Sequence, residues 1–178
     1  MLYEIWRWMS YKNDQPCSDN CDQSGSGAIF NLRYGFPRAS GITSADAAGL
    51  AIFPGLVKYD EAKTEIKHAL RFTMQRTGHT YVYPASHSAG TTSDPKAPPM
   101  GLRLRLKASY DISWFPPIPR AIATAMKKYG MILADNGGNW FFSGTSDIRF
   151  KDEDLNLLKL IRNTDFEVIE TGPITKGN

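Results

Sequence analysis

A chain of 178 residues, 42% hydrophobic and 22% charged, has the size and mix of one globular domain that buries most of its apolar surface. A net charge of +3 is too small to argue for nucleic acid, and no run of about 18 apolar residues could span a membrane. Aromatics at 12% suit a β-rich core or a sugar-stacking surface.

The start, "MLYEIWRWMSYK", lacks the basic, apolar and small-residue sections of a signal peptide, so the protein is cytosolic or its leader lies outside this sequence. Residues 2–8 alternate, Leu2, Glu4, Trp6 and Trp8 against Tyr3, Ile5 and Arg7, and predict a strand. Residues 12–27 form a Gly/Ser/Asp/Asn loop that carries Cys17 and Cys21. Two thiols with no nearby histidine cannot complete a four-ligand zinc site. A local disulfide is the preferred reading and implies an oxidising compartment; two free thiols in a cytosolic loop are the alternative. Residues 27–34 predict a second strand. Residues 38–61 are irregular, punctuated by Gly41, Gly49, Pro54 and Gly55, and a segment this long is functional or has structure of its own.

"TEIKHALRFTMQ" (64–75) is the clearest central strand, with Ile66, His68, Leu70, Phe72 and Met74 on one face and Lys67, Ala69, Arg71 and Thr73 on the other. "HTYVYPAS" (79–86) follows a short "RTG" turn and predicts a hairpin. In 101–113, Leu102, Leu104, Leu106, Ala108 and Tyr110 point inward and Arg103, Arg105, Lys107, Ser109 and Asp111 outward. The basic side reads as a solvated, edge-protecting face, with a polyanion groove as the sharper alternative. A helix is predicted at 117–129, a hairpin with an Asn-Gly-Gly turn at 131–144, a second helix at 152–163 and a strand at 165–170. The sum is one α+β domain over 1–172, mainly antiparallel β as a sandwich or open barrel with two packed helices, followed by a flexible tail at 173–178.

P-loop, GxGxxG, GxSxG and HExxH motifs are absent. All three histidines, His68, His79 and His87, fall within twenty positions. His68 sits among apolar neighbours, where it is either a hydrogen-bonded core residue or an imidazole lining a cleft. His79 is expected exposed and inert. Folding of 64–75 against 79–86 would bring His68 and His87 together; Arg71 would point to the opposite face unless a bulge intervenes. Asp46 lies among small residues that let backbone pass close to a ligand. Asp60 and Glu61 look like a turn, and Asp135 like a hairpin-turn residue. Paired carboxylates would suit glycoside hydrolysis, and a His/Tyr/Arg set proton abstraction from a uronic sugar. A metal held by His68 and His87 is a weak reading, and no cofactor is predicted.

The blocks "GSGAIFNL", "TSADAAGLAIFPGLVKYDE", "IKHALRFT", "YVYPASH", "PPMGLRLRLKASYDIS" and "KKYGMILADNGGNWFFSG" resemble, in that order, an uncharacterised bacterial domain, over roughly residues 2–170. Its members are mostly predicted secreted proteins, often beside carbohydrate-binding or fibronectin-like modules. The resemblance implies extracellular or periplasmic work on polysaccharide and supplies no reaction. Matching positions include Asp46, His68, Arg71, His87 and Asp135. Members carry further sequence before the segment matching "LYEI"; its absence here implies an exposed sheet edge near residues 2–8, a route to a homo-oligomer.

The leading expectation is a secreted polysaccharide hydrolase or lyase with His68, His87, Asp46 and Arg71 as catalytic residues and Trp140, Trp114, Asp135 and Tyr83 as substrate contacts. Two alternatives stand beside it. One is a non-catalytic glycan-binding module that uses exposed aromatics such as Trp6, Trp8, Trp114 and Trp140. The other is a structural or assembly protein.

Overall fold

The computed structural model describes residues 1–8, 24–34, 38–170 and 172–177. The Cys17–Cys21 disulfide expectation lies outside the described residues. The chain folds as α+β, and all but one of its strand pairings are antiparallel. Strands β1 (Leu2–Trp6) and β2 (Ser26–Phe30) form a ribbon of their own. Glu4 anchors that ribbon: its carboxylate accepts hydrogen bonds from the Ile52 and Phe53 backbone N–H groups at 2.8–2.9 Å. Tyr3, Ile5 and Ile29 of the ribbon are exposed.

The main sheet is curled like half a barrel. It contains β3 (Leu70–Met74), β5 (Arg103–Leu106), β6 (Met131–Asn136), β7 (Phe141–Phe142) and β8 (Phe166–Ile169), in the order β7-β3-β6-β5-β8. Alternation sends Leu70, Phe72, Leu104, Leu106, Met131 and Leu133 into the core, each at most 5% exposed. Helix α2 (Pro117–Lys128) brings Ile122, Ala125 and Met126 to that core at helical spacing. Prolines in its first turn and Lys127 and Lys128 in its last suit the two helix ends. Gly130 stops it at φ +77°, where a Cβ would come 2.3 Å from the Leu104 carbonyl oxygen. The acidic helix α3 (Asp152–Asn156) runs on as a 3₁₀ turn to Leu160, shorter in α-form than expected. A further one-turn helix, α1 (Tyr59–Ala62), occupies the expected turn at Asp60 and Glu61.

Two expected hairpins are absent. β3 is flanked by β6, in parallel, on one side and by β7 on the other, so neither edge is left for residues 79–86. Those residues instead supply β4 (Thr80–Tyr81), which pairs with β9 (Thr175–Lys176). The tail expected to be flexible is thereby tied down. Residues 131–144 do not pair with themselves either. The Asn-Gly-Gly stretch arches over the end of β3, where Gly137 and Trp140 N–H donate to the carbonyls of Met74 and Thr73.

Candidate functional site

The hollow that gathers the predicted polar residues is built from the irregular segment after β2. Ser44 through Gly49 are all buried. The Asp46 N–H donates to Ser44 Oγ at 3.1 Å, and Asp46 Oδ1 accepts the Leu50 N–H at 2.8 Å, so the aspartate ties its own loop as a turn residue does. Gly49 holds φ +75°, and a Cβ there would lie 2.3 Å from Ser86 Oγ. That close approach lets the N–H groups of Ser86 and His87 both donate to the Ala48 carbonyl, at 2.9 and 3.2 Å. The small side chains of Ala45, Ala47 and Ala48 let backbone press on backbone, and the Ala48 N–H reaches the Ala134 carbonyl at 2.9 Å.

Ala134 is the residue on which the site turns. Along β3 and β6, Arg71 faces Ile132 and Phe72 faces Leu133, but Thr73 then faces Asp135, so Ala134 is an extra residue in β6. Regular alternation from Leu133 would send Asp135 into the core. The bulge moves it to the face that Arg71 and Thr73 share. The Arg71 guanidinium Nη2 then stands 3.4 Å from Asp135 Oδ2 and 3.7 Å from Asp46 Oδ2. Two carboxylates are thus held on one nitrogen.

Their environments differ sharply. The Asp46 side chain is wholly buried, whereas that of Asp135 is 34% exposed. Burial pushes the Asp46 carboxyl up to about 7, an effect only partly offset by the Arg71 charge and the Leu50 N–H. Asp46 Oδ2 is buried and has no hydrogen-bond partner. His87 joins from the segment after β4, its Nδ1 bonded to the Ala47 carbonyl at 3.0 Å. A carbonyl only accepts, so Nδ1 carries the proton and, in the neutral ring, Nε2 carries the lone pair. Trp6, Thr43, Asp46, His87, Asp135 and Asn136 line the resulting hollow of about 520 Å³.

His68 does not join this hollow. The strand begins only at Leu70, the chain bends at His68, and the ring lines a second hollow beside Arg71 rather than the core face. Its Nδ1 lies 2.9 Å from the Ala69 carbonyl and its Nε2 3.0 Å from Glu61 Oε2. Burial tends to raise Glu61, but hydrogen bonds from His68 and Lys58 outweigh it and hold the carboxyl below its usual range. The histidine pair expected from the hairpin is therefore not formed, and the weak metal reading at His68 and His87 loses its geometry. Among the described residues no three His, Cys, Asp or Glu side chains are grouped to hold a metal ion.

The aromatic candidates lie apart. Trp140 packs between Phe72 and Phe166, ring centroids 5.9 and 5.3 Å away, and helps close the curl of the sheet between β3 and β8. Trp114 is half-exposed, with Nε1 donating to the Asp111 carbonyl, and lines neither hollow. Tyr83 is exposed and lines an open hollow that shares Leu50, Ala51, Pro54 and Pro84 with the His68 hollow. Residues overlooked in the sequence are Ser44 and Asn136, which line the Asp46 hollow; Arg103, read as part of a solvated basic face with a polyanion groove as alternative, lines the His68 hollow. "TSAD" carries a turn signal that points to Ser44; nothing local points to Asn136. Among the described residues no helix is long and apolar enough to cross a membrane. Comparison of the chain with protein-family models, curated proteins and solved structures returns no match.

Proposed function

We propose that this protein is a secreted carbohydrate-active enzyme that cleaves polysaccharide by acid–base chemistry at the hollow between Asp46, His87 and Asp135. The observation that carries the reading is the pair of unlike carboxylates held on one Arg71 nitrogen, one buried with a raised pKa and one open to solvent. Two titratable groups whose surroundings differ in this way suit a proton donor and a proton acceptor. In hydrolysis Asp46, protonated in half of the molecules near neutral pH, gives its proton to the departing glycosidic oxygen as the C1–O bond breaks. A water attacks C1 and loses a proton to Asp135. In β-elimination the acceptor is His87 Nε2, which takes the proton next to a uronate carboxylate, while Asp46 again protonates the leaving oxygen. Arg71 offsets the negative charge that either route gathers.

The test is a polysaccharide panel followed by reducing-end release and by absorbance of unsaturated sugar. Asp46→Asn should lower turnover at least a hundredfold on either route, as should His87→Gln in β-elimination and Asp135→Asn in hydrolysis, the scale of a lost acid or base. Full turnover in all three variants would end the proposal. The exposed Tyr83 beside its open hollow favours a second reading, a glycan-binding module; retention on insoluble glycan without product would select it.

A further inference from the structure

Behind Arg71 lies the second hollow, of about 270 Å³, and its chemistry is cationic. In the sheet, Arg71 of β3 is in register with Ile132 of β6, and Ile132 with Arg103 of β5. The two arginines therefore stand in one cross-strand row on the same face, their Cα atoms about 10 Å apart with a single isoleucine between them. Both line the hollow, as does His68, whose ring nitrogens lie against the Ala69 carbonyl and the Glu61 carboxylate. Leu50, Ala51, Pro54 and Pro84 supply low-dielectric walls that strengthen any charge pairing inside.

The protein satisfies the arginines only in part: Arg71 Nη2 holds Asp135 and Asp46, but other donors stay open. The Arg71 side chain is nine-tenths buried, and its Nε has no acceptor. The Nε of Arg103 is buried and unpartnered as well, and the Arg103 guanidinium makes no ion pair or hydrogen bond with any described residue. A guanidinium keeps its charge at every working pH, so a buried one with open donors is costly unless something completes it. Its neighbours on the stripe are used differently: Arg105 pairs with Glu167 and Lys107 donates to the Thr164 carbonyl.

We propose that the hollow between Arg71 and Arg103 binds an oxyanion, the carboxylate of a uronic sugar or the sulfate of a sulfated one, and that the substrate is accordingly an acidic polysaccharide. The oxyanion subsite stands on the arginines alone; the assignment of its occupant to a glycan rests on the function proposed above. The hollow shares Arg71 with the Asp46 site and four wall residues with the open hollow beside Tyr83. A chain with charged sugars could thus lie past Tyr83, anchor an anion on the arginines and present the next linkage toward Asp46.

The direct probe is the NMR signal of each arginine Nε–H during titration with galacturonate, sodium sulfate or galactose at constant ionic strength. Galacturonate or sulfate should shift the Arg71 and Arg103 signals saturably at millimolar concentration, and galactose should not. Arg103→Met should weaken the anion about tenfold, the loss of one charge-assisted hydrogen bond. Arg103→Lys, which keeps the charge and loses the fork, should weaken it too and serves if the methionine variant does not fold. Saturation by sulfate alone assigns the site to sulfated glycans. No saturable shift with either anion, or equal affinity in both variants and the parent, overturns the proposal. Asp46→Asn separates the two readings, because it removes turnover while leaving the Arg103 signal responsive. A chain inactive on every polysaccharide that still binds galacturonate loses the catalytic reading and keeps the subsite.

Discussion

Replacing Asp46 by Asn should make this protein more stable at neutral and alkaline pH, an unusual outcome for a buried polar residue. The carboxyl moves from an ordinary 3.8 to about 7 on folding, with burial as the largest cause. Below pH 4 the group is protonated in both folded and unfolded chains and contributes no pH dependence. Between pH 4 and 7 the unfolded chain has released its proton while the folded one keeps it, so stability falls as pH rises. Above about 7 the folded chain also ionises and the loss is complete. Roughly three pKa units correspond to about 4 kcal/mol. Asn retains the side-chain oxygen that accepts the Leu50 N–H and carries no charge to desolvate, and Arg71 keeps Asp135 as its partner. Urea unfolding of both proteins from pH 4.5 to 9 isolates the effect, since carboxylates apart from Asp135, which shares Arg71 with Asp46, contribute equally and cancel in the difference. The difference should grow by several kcal/mol in favour of Asn as pH rises to about 8. Parallel curves, or a variant less stable than the parent at pH 8, would refute the assignment of a desolvated carboxyl.

Gly49→Ala should cost about 2 kcal/mol or more in denaturant unfolding, because its Cβ would meet Ser86 Oγ at 2.3 Å on a backbone at φ +75°. A loss below about 0.5 kcal/mol would mean that the loop relaxes freely. His68→Gln should leave kcat at saturating substrate within about twofold, any effect falling on KM through the hollow it lines, and lower stability by at most about 1 kcal/mol, since its Glu61 partner is a third exposed. Loss of turnover in a folded variant would return His68 to the reacting centre. Trp140→Ala should cost about 3 kcal/mol through lost packing on Phe72 and Phe166, with glycan retention unchanged. Retention lost from a protein of unaltered stability would make the ring a sugar platform instead.

The elements legible in the sequence were those whose signal is local. Alternation at Leu104 and Leu106, and the proline start and glycine stop of α2, carry their own periodicity and caps; α2 lies where the pattern puts it, while β5 keeps only Arg103–Leu106 of the expected 101–113 and Ala108 is exposed rather than inward. What the sequence did not show was which strand lies beside which. "RTG" and "NGG" look like hairpin turns, yet β3 takes β6 and β7 as neighbours because a buried central strand satisfies both edges with distant segments. Turn chemistry is read within four residues; the β3–β6 pairing spans some sixty.

The same limit explains the site. Asp46 was singled out from its small-residue surroundings, His87 from strand alternation, and Arg71 and Asp135 as positions of the resemblance; the fold sets the two aspartates on the Arg71 guanidinium and, with His87, around one hollow. Their meeting depends on the extra residue at Ala134, which has no mark in "MILADNGG" because a bulge is a property of two paired strands. Had β6 run regularly, Asp135 would face the core beside Leu133, and Arg71 would hold Asp46 alone. A single buried carboxylate on a single arginine is a structural ion pair; a buried and an exposed carboxylate on the same nitrogen are the arrangement from which the proposed proton donor and acceptor are drawn. On the proposed function, the step from a plain ion pair to a paired acid and base therefore rests on one alanine of strand register.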